Sequence, residues 1–164
     1  MAVKFLEVKK ESCPAARLIG KKYTGNVNWS EWWEQNLFEK LEVMECLPFN
    51  GDAYIGGVHI VSGMPERWIG MLFPAGTKVP DGFEYADIEP LDYAVCYLYD
   101  REGSSEFFTM EIHNKCLEAL TESGFKRKED DWCFERYNCP RYTTPDDTGN
   151  VILDYAIAIH GRVG

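Results

Sequence analysis

The chain has 164 residues, a length that predicts one globular domain over 1–164 with its own hydrophobic core. Its 17 basic and 27 acidic side chains give a net charge of −10, which repels phosphate backbones and argues against direct nucleic-acid binding. No apolar run approaches membrane-span length and the start of the chain does not resemble a signal peptide, so we expect no membrane association and a cytoplasmic location.

The potential metal ligands are scattered along the chain. The cysteines show no Cys-x-x-Cys spacing, which indicates reduced thiols rather than a disulfide frame or a zinc site: Cys13, Cys46, Cys96, Cys116, Cys133 and Cys139. His59, His113 and His160 fall on different predicted elements, and we expect His113 on the solvent face of a helix. We therefore predict no metal and no cofactor.

The first half of the chain begins with predicted strands over 3–8 and 15–23, followed by a helix over 28–41. Trp32 and Trp33 are adjacent in that helix and cannot share one narrow face, so one of them is expected in the core and the other at the helix edge. Predicted strands over 53–61 and 67–73 complete this half. The pair Gly56-Gly57 within the first of them indicates a bulge, or close approach of another backbone or a ligand.

The second half repeats this order. Strands are predicted over 83–88 and 91–99, a helix over 106–123, and strands over 132–138 and 151–160. In the helix, an apolar residue recurs every fourth position, which predicts one buried stripe: Phe108, Ile112, Cys116 and Leu120.

Residues 15–73 and 91–160 thus share the order strand, helix, strand, strand. Two such β-α-β-β units, in halves of about 1–75 and 81–164, predict an α+β fold with a pseudo-twofold axis. We expect an antiparallel sheet with two main helices on one face and a ligand groove on the other face, at the join of the halves.

The leading chemical candidates lie in the run Phe134-Glu135-Arg136-Tyr137. Because side chains alternate along a strand, Glu135 and Tyr137 project together. Glu135 is either an ordinary surface carboxylate paired with Arg136 or Lys126, or the polar centre of an aromatic pocket. In a pocket it can hold a cation or act as a general base on water.

Strand parity and the approximate symmetry indicate further aromatic residues for the wall of such a pocket, although core packing is an alternative role for each: Trp33, Tyr54, Trp68, Tyr93, Tyr97 and Tyr155. The chain has no Gly-x-Ser-x-Gly nucleophile motif and no phosphate-binding loop.

Over roughly 50–160 the sequence resembles the GyrI-like domain of the SOUL/GyrI-like superfamily, the effector-binding domain of AraC-type and MerR-type bacterial regulators. The matching features, in order, are Asp81-Gly82-Phe83, Tyr93-Ala94-Val95, a helix ending at Gly124, the motif at 134–137, and a strand from Asp154 to Ile159. One departure is His160-Gly161-Arg162, where the family often has a proline.

The resemblance implies a central pocket for hydrophobic or cationic, drug-like small molecules, with Glu135 as its acidic centre. Some stand-alone members of the superfamily hydrolyse strained electrophilic rings with a pocket Glu and a Tyr. By that resemblance Glu135 is the base, and its phenolic partner is Tyr137 or a tyrosine from another strand.

Three hypotheses follow from the sequence. The first is a stand-alone small-molecule binding protein, since no DNA-binding segment precedes the domain. The second is a hydrolase of reactive xenobiotics, in which Glu135 and Tyr137 are catalytic. The third is a modulator that binds a regulator or a topoisomerase. We expect a monomer or a homodimer.

Overall fold

A computed structural model describes residues 3–44, 53–138 and 140–160. The predicted loop at 50–52, Cys46, Cys139 and residues 161–162 lie outside the described residues.

Within these described ranges, eight strands form one antiparallel sheet of order β1-β6-β8-β7-β3-β4-β2-β5, and β4 and β8 are buried along most of their length. The strands are β1 (Lys4–Cys13), β2 (Ala16–Tyr23), β3 (Tyr54–Val61), β4 (Met64–Pro74), β5 (Glu84–Ile88), β6 (Leu91–Arg101), β7 (Cys133–Tyr137) and β8 (Asn150–Ile159). The predicted α+β class and the duplicated strand-helix-strand-strand order are confirmed.

The two halves meet where β7 pairs with β3, at the centre of the sheet. Each half also gives its first strand to the far edge of the other half, because β1 pairs with β6 and β5 pairs with β2. This exchange was not predicted, since strand periodicity does not identify a pairing partner.

The first predicted helix is two short helices, α1 (Trp29–Glu34) and α2 (Leu37–Glu42). Asn28 caps α1 by accepting from the Glu31 amide, and the chain breaks at Asn36, which has a left-handed φ of 53°. Trp32 is fully buried while Trp33 is 55% exposed, which confirms that the two indoles point in different directions.

The second predicted helix is also interrupted. A 3-10 turn (Ser105–Phe108) precedes α3 (Met110–Glu122), and Thr109 between them is extended and caps α3 by accepting from the Ile112 amide. Ile112, Cys116 and Leu120 form the predicted buried stripe, but Phe108 is 49% exposed. The break at Thr109 takes Phe108 off the helical face, so its prediction as a stripe residue is wrong.

The helices of the described ranges all lie on one face of the sheet, as predicted. Helices α1 and α2 pack over β2 and β4, through Ile19, Ile69 and Met71 among others, while α3 packs over β6 and β8. The helices therefore cover the two halves and leave most of the central pair, β3 and β7, open, with the Trp29 side chain of α1 reaching over Gly56. None of the described helices has the length and hydropathy needed to cross a membrane.

The predicted position of the groove, on the face opposite the helices, is wrong. Apolar side chains from both halves form one continuous core on that face, including Leu18, Leu72, Val95, Phe134 and Ala156. The cavities around Glu135 instead lie on the helix face, where the helices leave the central strands open. Counting helices and strands cannot reveal this, because it depends on how far each helix extends across the sheet.

Candidate ligand-binding groove

Glu135 and Tyr137 project together from β7 onto the helix face, and the Tyr137 hydroxyl donates a hydrogen bond to Glu135 Oε2. Of the phenols left open by the sequence, the structure thus places Tyr137 beside the carboxylate. Arg136 projects to the opposite face and pairs there with Glu11 and Asp154. The alternative in which Glu135 pairs with Arg136 is therefore excluded by geometry.

Gly56 on β3 lies directly across from Glu135 in the ladder. A Cβ atom at Gly56 would lie 3.3 Å from Trp29 Cζ2 and 3.4 Å from Glu135 Oε2. The missing side chain lets the Trp29 indole and the carboxylate approach each other over the strand. The predicted bulge is absent, because the β3–β7 register runs without a shift, and the groups that approach these glycines are side chains rather than the predicted backbone or ligand.

Three adjoining cavities share walls around these residues and together form what we call the groove. The polar cavity has a volume of about 370 Å³, the central cavity about 380 Å³ and the aromatic cavity about 510 Å³. Glu135 and Tyr155 line the polar and central cavities, Trp29 and Tyr137 line the central and aromatic cavities, and Phe108 lines all three.

The environment of Glu135 favours its protonated form. Burial raises the pKa of the Glu135 carboxyl, and the Tyr137 hydrogen bond and the nearby Arg67 guanidinium offset this only in part. Burial and the adjacent Glu135 charge also raise the pKa of Tyr137 well above its usual range, so Tyr137 remains a donor. Among the described residues, no Lys, Arg or His forms an ion pair with Glu135.

Tyr155 lies across from Glu135 on β8, and its hydroxyl is 2.5 Å from His113 Nδ1. Burial and the neighbouring Arg127 lower the pKa of His113, which favours a neutral imidazole. His113 is partly buried and lines the polar cavity, so its predicted place on a solvent face is wrong. No group of three or more His, Cys, Asp or Glu side chains in the described part of the chain is placed to hold a metal ion.

The structure brings some of the predicted aromatic residues to the groove. Trp33 and Tyr54 line the aromatic cavity, and Tyr155 lines the other two. Trp68 borders the central cavity, although its indole packs against Trp132 on the opposite face and donates to Glu66 at 2.8 Å.

The structure places the other two predicted aromatics, Tyr93 and Tyr97, on the filled face. Tyr93 packs against Phe134 with ring centroids 5.6 Å apart, and the Tyr97 hydroxyl donates to Glu11 at 2.8 Å. Neither residue lines the polar, central or aromatic cavity. The alternate tyrosines of β6 do project to one face of the sheet, as predicted. That face is the filled one, on which Phe134 also lies.

Several residues at the groove were not predicted from the sequence. Trp29 packs edge-on against Tyr137 with centroids 5.4 Å apart, and Tyr142 does the same from the 140–149 loop at 4.9 Å. Phe108 was assigned to the core, and Arg67 was not singled out. An apolar side chain beside a helix break is the signal that identifies Phe108, whereas Tyr142 is placed by tertiary contacts alone.

No family model matches the sequence, and no curated protein matches it. Solved structures do match. SAV2435 bound to tetraphenylphosphonium has a TM-score of 0.69 and 13% identity, covering 95% of each chain. A putative bacterial transcription regulation protein from Staphylococcus aureus MU50 has a TM-score of 0.67 and 11% identity, covering 94% of this chain and 99% of that one.

The C-terminal domain of EcmrR also matches, with a TM-score of 0.59 and 10% identity over 96% of this chain and 99% of that domain. At such identities the likeness is one of fold. The chain therefore has the fold of a GyrI-like effector-binding domain, as predicted from the sequence.

Proposed function

We propose that this protein binds lipophilic aromatic cations in the groove, with Glu135 as the countercharge. The observation that carries the proposal is a carboxylate with no basic ion-pair partner, held between aromatic side chains at the point where the polar and central cavities meet. A desolvated carboxylate without a countercharge is unfavourable, and a bound cation relieves that cost.

The walls around Glu135 suit a cation that cannot donate hydrogen bonds. Trp29, Tyr137 and Tyr155 surround the central cavity, and aromatic faces attract quaternary cations through their quadrupoles. The volumes of about 370, 380 and 510 Å³ fall in the range that small-molecule ligands occupy. The fold neighbour SAV2435 was solved with tetraphenylphosphonium, a cation of this kind.

Arg67 is the feature that opposes a cation, since it lines both the polar and the central cavity. Its side chain is exposed and forms no ion pair with any described residue. Because Arg67 is exposed, solvent and salt screen its charge, and this weakens its repulsion of a cation at Glu135.

Two probes of the same shape and opposite charge test this proposal. Tetraphenylphosphonium and tetraphenylborate differ in sign, so any preference between them reports the electrostatics of the groove. We expect calorimetry to show that the native protein prefers the phosphonium, and that Glu135→Gln weakens phosphonium binding by about tenfold or more. Glu89→Gln, at an exposed position outside the groove, makes the same charge change and should have no effect.

Equal binding of the two probes by the native protein contradicts the proposal. Equal phosphonium affinity in the native protein and Glu135→Gln contradicts it as well. A melting curve of each variant separates a loss of binding from a loss of folding.

A hydrolase is the second candidate function, and the position of Tyr155 favours it. Glu135 and Tyr155 are cross-strand neighbours that line the same two cavities, and the raised pKa of Glu135 makes it a stronger base when ionised. In this reaction Glu135 takes a proton from water, the water oxygen bonds to a strained-ring carbon, and that carbon's ring bond breaks. A tyrosine hydroxyl then protonates the leaving atom.

The test is turnover of aromatic epoxides and activated cyclopropanes by the native protein and by Glu135→Gln. The hydrolase candidate predicts turnover by the native protein, and binding without turnover by the variant. Absence of turnover by the native protein rejects it for these substrates. The hypothesis of a modulator that binds a protein partner stays a prediction, because the acidic net charge is its only support.

A further inference from the structure

The polar cavity contains two arginines that have no carboxylate partner. Arg67 and Arg127 both line it, and neither forms an ion pair with any described residue. Three other arginines are paired: Arg17 with Asp87, Arg136 with Glu11 and Asp154, and Arg141 with Asp154, whereas Arg101 at the end of β6 is exposed and forms no ion pair with a described residue. In a chain with 27 acidic residues and a net charge of −10, two unpaired arginines at one cavity require an explanation.

Arg127 is the more confined of the two. Its Nε atom is buried and has no hydrogen-bond partner, although its side chain lies against the Cys133 thiol. A buried guanidinium N–H without an acceptor costs free energy, because its hydration has been removed and not replaced. The Nε atom itself has almost no exposed surface, so a ligand would contact Arg127 through the part of its side chain that lines the polar cavity.

His113 offers a further donor at the same cavity. Its imidazole is favoured in the neutral form, and a Tyr155 hydroxyl that donates to Nδ1 leaves the ring proton on Nε2. A neutral N–H beside a guanidinium is suited to an oxyanion rather than to a cation.

Three acidic residues also line this cavity, and each is either already engaged or placed at its edge. Asp131 is already engaged, because Oδ2 lies 3.3 Å from Lys128 Nζ and Oδ1 accepts from the Trp132 amide at 2.8 Å. Asp130 is exposed, in a left-handed turn at the rim. Glu135 lies at the boundary with the central cavity.

We propose that the polar cavity binds a carboxylate of the ligand through Arg127, Arg67 and His113, so that the ligand class is an aromatic cation that also carries a carboxylate. The cationic part of this inference rests on the proposed function. Arg127 lies beside Cys133, and Cys133 and Glu135 are alternate residues on one face of β7. The two charges of the ligand would then be roughly 7 Å apart, the spacing of alternate residues on a strand.

Two dyes that differ only at the carboxylate provide the test. Rhodamine 19 has a xanthene cation and a free benzoate, and rhodamine 6G is its ethyl ester. We expect fluorescence polarisation at pH 7.5 to show that the native protein binds rhodamine 19 about tenfold more tightly than rhodamine 6G. Arg127→Met should abolish that preference, because only rhodamine 19 loses a partner for its benzoate, and Arg127→Lys should restore part of it.

Arg101→Met is the matched control, because Arg101 is exposed, lies outside the groove and loses the same charge. It should keep the preference for the acid dye. The inference is wrong if the native protein binds the ester as tightly as the acid, or if Arg127→Met weakens both dyes equally. Should Arg127→Met fail to fold, the dye comparison in the native protein and in Arg127→Lys still decides.

Tetraphenylphosphonium, which has no carboxylate, separates the two proposals. Glu135-dependent phosphonium binding without an acid preference supports the proposed function and rejects the carboxylate subsite. Arg127-dependent binding of rhodamine 19 without phosphonium binding supports the subsite and rejects the proposed function. If none of the three probes binds, both proposals are rejected.

Discussion

Each face of β7 carries one charged side chain, Arg136 on the filled face and Glu135 on the groove face, and the two differ in how they are paired. On the filled face, Arg136 Nη1 donates to Glu11 at 2.7 Å and Nη2 donates to Asp154 at 2.8 Å. Asn138 and Arg141 also donate to Asp154, so each carboxylate in this network has a positive partner. On the groove face, Glu135 accepts from the neutral Tyr137 and pairs with no described cation.

The pKa values of the two glutamates, Glu11 on the filled face and Glu135 on the groove face, shift in opposite directions. Burial acts to raise the pKa of both Glu11 and Glu135. Around Glu11 the hydrogen bonds and charge of Arg136 outweigh burial, and the pKa of Glu11 falls below its usual range. Around Glu135 burial prevails and the pKa is raised. Removing one partner from a complete buried charge network is costly, and the incompletely paired Glu135 is the feature on which the proposed ligand site rests.

The largest expected effect comes from breaking the complete network. Asp154→Asn leaves Arg136 buried beside a neutral amide, and it should lower the free energy of unfolding by about 3–5 kcal/mol. Urea denaturation of the native protein and the variant measures the change. A loss below about 1 kcal/mol would show that this network does not hold the central strands together.

The adjacent glycines Gly56 and Gly57 test the two faces with the same substitution. A Cβ atom at Gly57 would lie 3.0 Å from the Phe134 ring on the filled face, so Gly57→Ala should destabilise the protein by about 1–3 kcal/mol. A Cβ atom at Gly56 meets Trp29 and Glu135 at 3.3 and 3.4 Å in the groove. Gly56→Ala should therefore change stability little and weaken phosphonium binding by about threefold.

Thermal unfolding and calorimetry of both variants check this prediction. Equal destabilisation by the two substitutions, or stronger loss of binding in Gly57→Ala, would remove the distinction between an open and a filled face.

Replacing the carboxylate on the groove face should stabilise the protein. The folded state holds a proton on Glu135 at pH values where the unfolded state has lost it, so native stability falls as pH rises from the usual pKa through the raised one. Glu135→Gln does not titrate and keeps an acceptor for Tyr137. We expect it to unfold about 2–4 °C higher than the native protein at pH 8, the shift for about 1 kcal/mol, and with a smaller difference at pH 4.

Melting curves from pH 4 to 8 measure the difference, with Glu89→Gln as the exposed control. A Glu135→Gln variant that is less stable than the native protein at pH 8 would mean that the carboxylate is a structural group.

Sequence patterns predicted the direction of side chains within one strand or helix better than the contacts between different strands and helices. Strand parity separated Glu135 and Tyr137 from Phe134 and Arg136, and the pseudo-twofold order was visible from predicted elements alone. The partners of Arg136 were not predictable, since Glu11 is 125 residues away in the chain. Glu11 reaches Arg136 because β1 pairs with β6 of the other half, and no local sequence pattern indicates that pairing.

The side of the sheet on which the groove lies also depends on contacts between residues that are far apart in the sequence. One extended residue, Thr109, ends the 3-10 turn and exposes Phe108 at the groove. Short helices leave most of β3 and β7 open, while side chains from both halves fill the opposite face. Helical periodicity predicted neither the break nor the reach of the helices.

The central claim, that Glu135 is an incompletely paired carboxylate awaiting a cation, is tested most directly by proton release. Because a bound cation favours the ionised form, tetraphenylphosphonium should displace the proton that Glu135 holds, and its affinity should rise with pH up to the raised pKa. Titration calorimetry in two buffers of different ionisation enthalpy, repeated at several pH values between the usual glutamate pKa and pH 8, counts that proton. We predict proton release with the native protein and none with Glu135→Gln, whereas equal affinity and equal proton release in both would contradict the claim.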